Sequence, residues 1–305
     1  MARGATSLGV TIGSLELDGV VMTASGTSGH SDELAAYGEL NELAAVVVKS
    51  LSPDPWPGNP PPRLKPLDGG MLNSVGLQGP GLEEWLANDL GRLRATGATV
   101  VVSVWGHDLS EYQRAGEMLQ GADIDAIEIN VSCPNLKDHS RLFAYSPAAT
   151  AAAVEALGTQ HPRWAKLSPN TPDIADVARA AVDAGAEALT VANTALGMAI
   201  DIERRTLALG GGGGGLSGPA IHAIAVRAVF VCHQALPEVA IIGVGGISSG
   251  EDAIEMIMAG ASAVQVGTAA LAEPRAPWRV QNEVRRWLDR HDVKDITEIR
   301  GAVHG

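Results

Sequence analysis

Cysteine, aromatic residues and positive charge are all scarce in this chain of 305 residues, and each scarcity excludes a class of protein. Two cysteines can supply neither a disulfide framework nor the four ligands of an iron–sulfur cluster. Aromatic residues make up 4% of the chain and the formal net charge is −13, whereas a nucleic-acid groove needs a basic surface with stacking rings. No apolar run reaches the roughly 18 residues of a membrane span. We therefore expect a cytoplasmic protein that binds neither nucleic acid nor membrane.

Apolar residues, by contrast, make up 46% of the chain, and short β-rich runs alternate with helical patterns. Eight runs predict strands, at Val21–Ala24, Ala45–Lys49, Thr99–Val104, Ala126–Asn130, Trp164–Ser168, Ala188–Ala192, Val239–Val244 and Ala263–Val266. Helices are predicted between and after them, at Ser31–Leu43, Leu82–Thr96, Ser110–Gln120, Pro147–Leu157, Asp173–Ala184, Pro219–Leu236, Gly250–Met258 and Pro277–Arg290.

Eight βα repeats without a linker or a change in composition predict an α/β fold, a single (β/α)8 TIM barrel formed by residues 1–305 as one domain. A doubly wound open sheet is the alternative. A short hairpin is expected at Val10 to Val20, ahead of the barrel. Two long stretches that follow strands, Ser50–Gly81 and Asn193–Gly218, are predicted to be irregular and to cover the catalytic face. The second contains six consecutive glycines, Gly210–Gly215, which suggest a mobile lid or a loose insert.

In such a barrel the chemistry lies at the carboxyl ends of the strands. Nearly every predicted strand finishes in an amide, a hydroxyl, an ammonium or a glycine: Thr23-Ala24-Ser25-Gly26, Lys49-Ser50, Ser103, Asn130, Lys166, Asn193-Thr194, Gly245-Gly246 and Gly267-Thr268. The last two ends would expose backbone N–H groups at the usual phosphate site of the fold. We therefore predict a phosphate-bearing cofactor, with tight turns alone as the alternative.

A thiol follows the fourth predicted strand on a loop that proline makes stiff. Pro134 ends the strand, and Cys133 lies between the carboxamides of Asn130 and Asn135. The carboxamides could bind a flat ligand with alternating N–H and C=O groups, and the thiol could take a proton from it. A structural cysteine in a tight turn is the alternative. Cys232 is predicted to be a helical core residue.

Two lysines end apolar strands, where an unpaired ammonium is costly. Lys49 and Lys166 could flank an anionic ligand and an electron-rich ring, or form a structural ion pair with a residue such as Glu128. A Schiff-base lysine, as in aldolase barrels, is a third interpretation. A non-redox barrel that binds a phosphate ligand also stays open at this point. The histidines show no metal-ligand spacing, and no metal site is predicted.

The motif Asn-Val-Ser-Cys-Pro-Asn at residues 130–135 resembles the catalytic loop of class 1 dihydroorotate dehydrogenases, which are cytosolic flavoenzymes of pyrimidine synthesis. The resemblance continues from about residue 20 to about residue 270, through Thr23-Ala24-Ser25-Gly26, Lys49-Ser50, Gly58-Asn59-Pro60-Pro61-Pro62-Arg63, Met71-Leu72-Asn73-Ser74-Val75-Gly76-Leu77-Gln78, Lys166-Leu167-Ser168-Pro169-Asn170, Asn193-Thr194, Gly215-Leu216-Ser217-Gly218-Pro219-Ala220, Gly245-Gly246 and Gly267-Thr268.

Within that family the motifs look like the NAD-linked class 1B, whose FMN-bearing catalytic subunit passes electrons to a separate subunit with FAD and an iron–sulfur cluster. The resemblance thus implies FMN-dependent oxidation of (S)-dihydroorotate to orotate, in a homodimer or heterotetramer. The quinone-linked class typically has serine at the position of Cys133. The fumarate-linked class and an enzyme similar to dihydropyrimidine dehydrogenase are the alternatives.

Two positions depart from the family pattern. Ser103 stands where the NAD-linked class often has asparagine, and Asp138-His139-Ser140 replaces a Gly-Gly pair in the loop expected to cover the substrate.

The resemblance also implies roles for individual residues. Cys133 would be the base that removes a proton from C5, and Lys166 would stabilise the charge of reduced FMN. Substrate contacts are implied for Lys49, Asn73, Ser74, Val75, Gly76, Leu77, Asn130, Asn135, Asn193 and Thr194. FMN contacts are implied for Ala24, Ser25, Lys49, Ser50, Ser103, Asn130, Lys166, Ala192, Gly218, Gly245, Gly246, Gly267 and Thr268.

Overall fold

Eight short parallel strands form the centre of the structure, a computed structural model that describes residues 6–132, 134–135 and 141–305. In chain order they are β1 to β8, with the bounds Val21–Thr23, Val46–Val47, Val100–Val104, Ala126–Asn130, Arg163–Lys166, Ala188–Val191, Ala240–Val244 and Ala263–Val266. Their order in the sheet is β1-β8-β7-β6-β5-β4-β3-β2. A parallel bridge between Met22 and Ala45 joins β1 to the start of β2, and the Ala44 amide donates to the Val21 carbonyl at 2.8 Å. The predicted (β/α)8 barrel is confirmed, and the open-sheet alternative is wrong.

Helices alternate with the strands, as the parallel connections of a barrel require. The α-helices are Leu82–Asn88, Leu90–Arg94, Leu109–Leu119, Pro147–Ala156, Ile174–Asp183, His222–Ala235, Gly250–Met258, Thr268–Ala272 and Ala276–Arg290. Shorter 3₁₀ turns are Glu33–Ala36, Leu40–Glu42, Phe143–Tyr145, Pro219–Ile221 and Ile296–Ile299. Within the described ranges, no helix combines the length and the apolar character that crossing a membrane requires.

One predicted helix is wrong, and another is interrupted. Ser31–Leu43 contains only two 3₁₀ turns, and Gly38, a residue that disfavours a helix interior, lies between them against the Trp278 ring. The helix predicted at Leu82–Thr96 divides at Asp89 into two shorter helices. The segment Thr268–Ala272, which is not among the predicted helices, forms a helix of five residues.

A hairpin of Val10–Ile12 and Leu15–Leu17 precedes the barrel, as predicted. Ile12 and Leu17 are buried, and the Ser14 amide donates to the Glu187 carboxylate at 2.8 Å. Glu187 directly precedes β6, so the hairpin lies at the amino ends of the strands, away from the end where chemistry is expected.

The two long stretches predicted to be irregular instead pair with each other. They form a four-stranded antiparallel sheet, here called the cap sheet, whose strands in spatial order are Ala195–Gly197, Gly214–Ser217, Gly70–Asn73 and Leu64–Leu67. A smaller hairpin joins Ile200–Asp201 to Thr206–Leu207. Both stretches follow barrel strands, so the cap sheet stands at the carboxyl ends, over the predicted catalytic face.

The glycine run has a packing reason. Gly214 and Gly215 belong to a paired strand, and a Cβ on Gly215 would lie 2.7 Å from the Thr194 Cβ. A Cβ on Gly210 would lie 2.7 Å from the Pro61 carbonyl oxygen. The second half of the run is therefore a strand in close contact with its neighbours, rather than the lid or loose insert that its composition suggested.

We expect Gly215→Ala to destabilise the protein by about 1–3 kcal/mol, because the new methyl group would force the cap strand away from Thr194. Gly91→Ala is the matched control: a Cβ there meets no atom within 4 Å, and alanine favours the helix Leu90–Arg94. Chemical denaturation of both variants checks this expectation. Equal stability of the two variants would contradict it.

Candidate active site

Polar side chains meet at the carboxyl ends of β4, β5 and β6. In the strand register Lys166 pairs with Asn130 on one side and with Thr190 on the other, so the three residues are neighbours in the sheet. Asn130 and Lys166 are both buried, at 6% and 5% exposed. The parallel ring thus brings together an ammonium, a carboxamide and a hydroxyl that are distant in the chain.

A row of hydroxyl groups continues from Asn130 toward β1. The Asn130 side chain donates to Ser50 Oγ at 3.4 Å, and the oxygen of Ser50 lies 2.9 Å from Ser103 Oγ and 3.0 Å from Ser25 Oγ. Ser25, Ser50 and Ser103 come from three different strand ends. Hydroxyls both donate and accept, so the row suits a ligand with mixed polar atoms.

A second row of carboxamides runs the other way, toward the cap sheet. Asn193 donates to the Asn130 side-chain oxygen at 3.2 Å, and its own oxygen accepts from the Thr194 amide at 2.8 Å. Asn73, in the cap sheet, donates to the Gly215 carbonyl at 3.2 Å. Asn170, to which no role was assigned, donates to the Thr194 carbonyl at 3.0 Å and accepts from the Leu196 amide at 2.8 Å. It anchors the first cap strand to the barrel.

Lys49 lies beside the loop that follows β1. Its Cδ would be 3.3 Å from a Cβ on Gly26, and its backbone N–H donates to the Gly29 carbonyl at 2.9 Å. The pKa of the neighbouring His30 is lowered first by burial and then by the positive charge of Lys49. Lys49 thus brings positive charge to the β1–β2 side of the barrel, while Lys166 brings it to the β5 side.

The turn at Ser74–Leu77 is held beside the Pro-rich segment. The Ser74 amide donates to the Arg63 carbonyl at 2.7 Å, and Asn59 donates to Ser74 Oγ at 3.0 Å. Gly76 and Leu77 both adopt positive φ, at 72° and 60°. This conformation, rare for leucine, shapes the segment predicted to offer amides to a carboxylate. That role stays a prediction.

The glycines predicted to bind phosphate surround the ends of β7 and β8. Gly245 and Gly246 have φ of 137° and 71°, which favour glycine, and Gly218 has φ of 89°. Thr268 Oγ1 donates to Ser217 Oγ at 2.8 Å, beside Gly218. Two alanines that were predicted to contact FMN border this region. The Ala24 amide donates to the Val266 carbonyl at 3.0 Å, next to Gly267, and the Ala192 amide donates to the Val244 carbonyl at 2.9 Å.

A carboxylate lies beneath these groups, inside the barrel. Lys166 Nζ is 3.2 Å from Glu128 Oε1, the ion pair weighed as one interpretation of the lysines. Thr190 and Gln265 donate to the other carboxylate oxygen, at 3.1 and 2.7 Å. No role was assigned to Thr190 or Gln265 from the sequence. A glutamine within the apolar run Ala263–Val266 is a signal that could have indicated a polar contact inside the barrel.

Comparison with known proteins shows the family of this chain. The family model described as dihydroorotate dehydrogenase covers residues 7–288. The chain belongs to the dihydroorotate dehydrogenase family. It is 44% identical over 299 residues to the catalytic subunit of dihydroorotate dehydrogenase B (NAD⁺) from Alkaliphilus oremlandii, which covers 97% of this chain and 99% of that protein. It is 46% identical over 298 residues to the same subunit from Desulforudis audaxviator, which covers 97% of each chain.

For a dihydroorotate dehydrogenase, the predicted base is the residue of most interest. Cys133 lies outside the described residues, as do Asp138, His139 and Ser140. Around them, the backbone of Pro134–Asn135 pairs antiparallel with Arg141–Leu142. The Ser132 amide donates to the Asn130 side-chain oxygen at 3.1 Å, so the loop leaves directly from the row of carboxamides.

The other thiol of this family member is unsuited to chemistry. Cys232 is fully buried in the helix His222–Ala235, as predicted, and burial raises its pKa to about 12. A buried thiol of this kind stays protonated at neutral pH and behaves as a small core residue.

Proposed function

We propose that this chain catalyses the FMN-dependent oxidation of (S)-dihydroorotate to orotate in pyrimidine biosynthesis, with electrons passing to NAD through a partner subunit. The observation that carries the proposal is the buried group of Lys166 and Asn130 at one rim of a barrel that belongs to the dihydroorotate dehydrogenase family. The relatives are named as catalytic subunits of an NAD⁺-linked dihydroorotate dehydrogenase, which supports both the reaction and the need for a partner.

The donor set supports FMN as the cofactor. A phosphate needs backbone N–H groups and a hydroxyl, which the glycine turns at Gly245 and Gly246, together with Thr268, can supply. The ring needs donors and acceptors along one edge, which Ser50, Asn130 and Lys166 can offer. FMN would supply a hydride acceptor when bound.

The residues of the chain divide the remaining chemistry. Oxidation removes a proton from C5 and a hydride from C6 of dihydroorotate, and Cys133 is proposed to take the proton. The positive charge of Lys166 is proposed to stabilise the negative charge that would develop at one edge of the FMN ring. Lys49 is proposed to hold the substrate carboxylate. The carboxamides of Asn73, Asn130, Asn135 and Asn193, with Thr194, are proposed to orient the pyrimidine ring.

Names of relatives also bear on the alternatives. Relatives that are dehydrogenases by name disfavour the Schiff-base lyase and the phosphate-binding protein. Their NAD⁺ linkage disfavours the fumarate-linked class, although Ser103 departs from the asparagine common in the NAD-linked class. A panel of dihydropyrimidines would separate dihydroorotate from related substrates.

The purified protein should be yellow, with the absorbance bands of bound flavin. Anaerobic addition of dihydroorotate should bleach these bands in a single turnover, because the substrate delivers two electrons to the ring. Absence of flavin, or flavin that dihydroorotate cannot reduce, would refute the proposed function.

Cys133→Ala should keep FMN but slow flavin reduction by about 10²–10⁴-fold, since this is the typical contribution of a general base. Cys133→Ser should keep weak activity that rises with pH, because a hydroxyl is a poorer base than a thiol. Cys232→Ala is the matched control and should reduce at the wild-type rate, since that thiol lies in the core. Stopped-flow spectroscopy measures all three. Near-wild-type reduction by Cys133→Ala would rule out Cys133 as the base.

Lys166→Ala should weaken FMN binding and slow hydride transfer, whereas Lys49→Ala should mainly weaken dihydroorotate binding. The two lysines follow different strands, β2 and β5, and are proposed to act mainly on different ligands. Lys294→Ala, at an exposed surface position, should change neither property. FMN titration of the apoproteins and orotate titration of the holoproteins provide the measurements. Identical defects in both site variants would contradict the assignment.

The isolated chain should reduce its FMN once but should not pass electrons efficiently to NAD. With two cysteines it lacks the ligands of a four-cysteine cluster, so the route to NAD is proposed to run through a subunit with FAD and an iron–sulfur cluster. Stopped-flow reduction followed by NAD or fumarate tests this. Rapid reoxidation by NAD alone would refute the partner requirement, and rapid reoxidation by fumarate would indicate the fumarate-linked class.

A further inference from the structure

Glu128 is an unusual residue for its position. It lies in the middle of β4 and is fully buried, in register with Ser103 on β3 and Trp164 on β5. Barrel interiors are normally filled by branched apolar side chains. A buried carboxylate costs free energy unless it is paired and its oxygens are hydrogen-bonded. Packing of the barrel interior alone therefore does not explain a glutamate at position 128.

Three donors from three other strands converge on this carboxylate. Lys166 Nζ, from β5, lies 3.2 Å from Oε1. Thr190 Oγ1 from β6 and Gln265 Nε2 from β8 donate to Oε2, at 3.1 and 2.7 Å. The Gln265 side-chain oxygen in turn accepts from Lys166 Nζ at 3.4 Å. The four side chains form a closed network in which each polar group has a partner.

Only a carboxylate fits the centre of this network, because all three neighbours donate to it. A carboxamide at position 128 would bring its own N–H group against one of these donors. Gln265 cannot flip to relieve the conflict, since its oxygen already accepts from Lys166. The arrangement thus demands a group that only accepts, and its main consequence is the place of the ammonium.

A lysine side chain has four flexible carbon–carbon bonds, and a fixed partner is what gives its ammonium one location. Lys166 is the last residue of β5, in register with Asn130 at the rim, while its ammonium is tied to the carboxylate of Glu128, two residues deeper along β4. The network therefore determines how far the ammonium extends toward the ligand that binds above it.

We propose that Glu128 is a positioning residue, which holds Lys166 in the place where its charge stabilises reduced FMN, with Thr190 and Gln265 orienting the carboxylate. The inference rests on the proposed function, since FMN is the ligand toward which Lys166 is positioned. Glu128 itself need not touch either FMN or the substrate.

The test compares Glu128→Gln with Glu155→Gln, an exposed glutamate on the outer helix Pro147–Ala156. Loss of the charge-assisted contacts should weaken FMN binding to the apoprotein by about 10- to 100-fold. The midpoint potential of bound FMN should fall, because a displaced ammonium no longer favours the reduced ring. Glu155→Gln should match wild type in both measurements.

A double-mutant cycle with Lys166→Ala shows whether Glu128 acts through the lysine. Without the ammonium there is nothing for the carboxylate to position, so adding Glu128→Gln to Lys166→Ala should lower neither FMN affinity nor potential further. Additive losses would overturn the proposal. A potential that rises in Glu128→Gln would also overturn it, because Glu128 would then merely offset the charge of Lys166.

A purely structural role would lower the melting temperature of Glu128→Gln and leave the potential of bound FMN unchanged, which would also overturn the proposal.

If Glu128→Gln does not fold, Gln265→Met takes its place. This variant removes two contacts without leaving a charge unpaired, and the same changes are expected at smaller size. Wild-type protein that binds no FMN would refute the proposed function, and the inference with it. If the wild-type protein binds FMN and none of these substitutions changes that binding, the inference is refuted but the proposed function is not.

Discussion

The parallel register of the barrel strands is the constraint on which the whole site depends. Because Lys166 on β5 pairs with Asn130 on β4 and with Thr190 on β6, the three side chains are neighbours in the sheet and face the same side. Glu128 lies two residues earlier on β4 and therefore faces the same interior one layer below. A shift of one residue in β5 would turn Lys166 away from the interior and break every contact of its ammonium.

Close backbone approach is the second constraint, and it applies to the cap sheet. The Asn73 side chain reaches the Gly215 carbonyl across 142 residues of sequence, and a Cβ on the neighbouring Gly214 would collide with the Asn73 carbonyl oxygen. Glycine, which weakens an ordinary strand, is here what allows the two long loops to pair. The cap sheet then holds Asn73 and the Ser74–Leu77 turn over the same rim that carries Lys49 and Lys166.

Hydrogen bonds connect the polar side chains along the rim. Ser25, Ser50, Ser103 and Asn130 form one connected row, and Asn193 extends it toward the cap. Protein partners thus hold each of these groups in a definite direction, which is the preorganisation that favours binding.

The sequence by itself determined the barrel and most of the residues at its rim. The alternation of β-rich and helical runs identified all eight strands, because each βα unit is a local pattern, and the bounds of β4 and β8 agree with the prediction. The motif at residues 130–135 indicated the family that the comparisons later confirmed. The helix predicted at Ser31–Leu43 was wrong: Gly38, which disfavours a helix interior, separates two 3₁₀ turns there.

Only the tertiary structure decided how distant residues meet. The pairing of the two long loops was not predicted, because glycine-rich strands show none of the alternation that indicates a sheet. Gln265 and Glu128 are 137 residues apart in the chain, and nothing in their spacing reveals a hydrogen bond of 2.7 Å across the barrel. Local periodicity tells which face of a strand is buried, but closure of the ring sets which buried side chains touch, and that closure is a property of the whole fold.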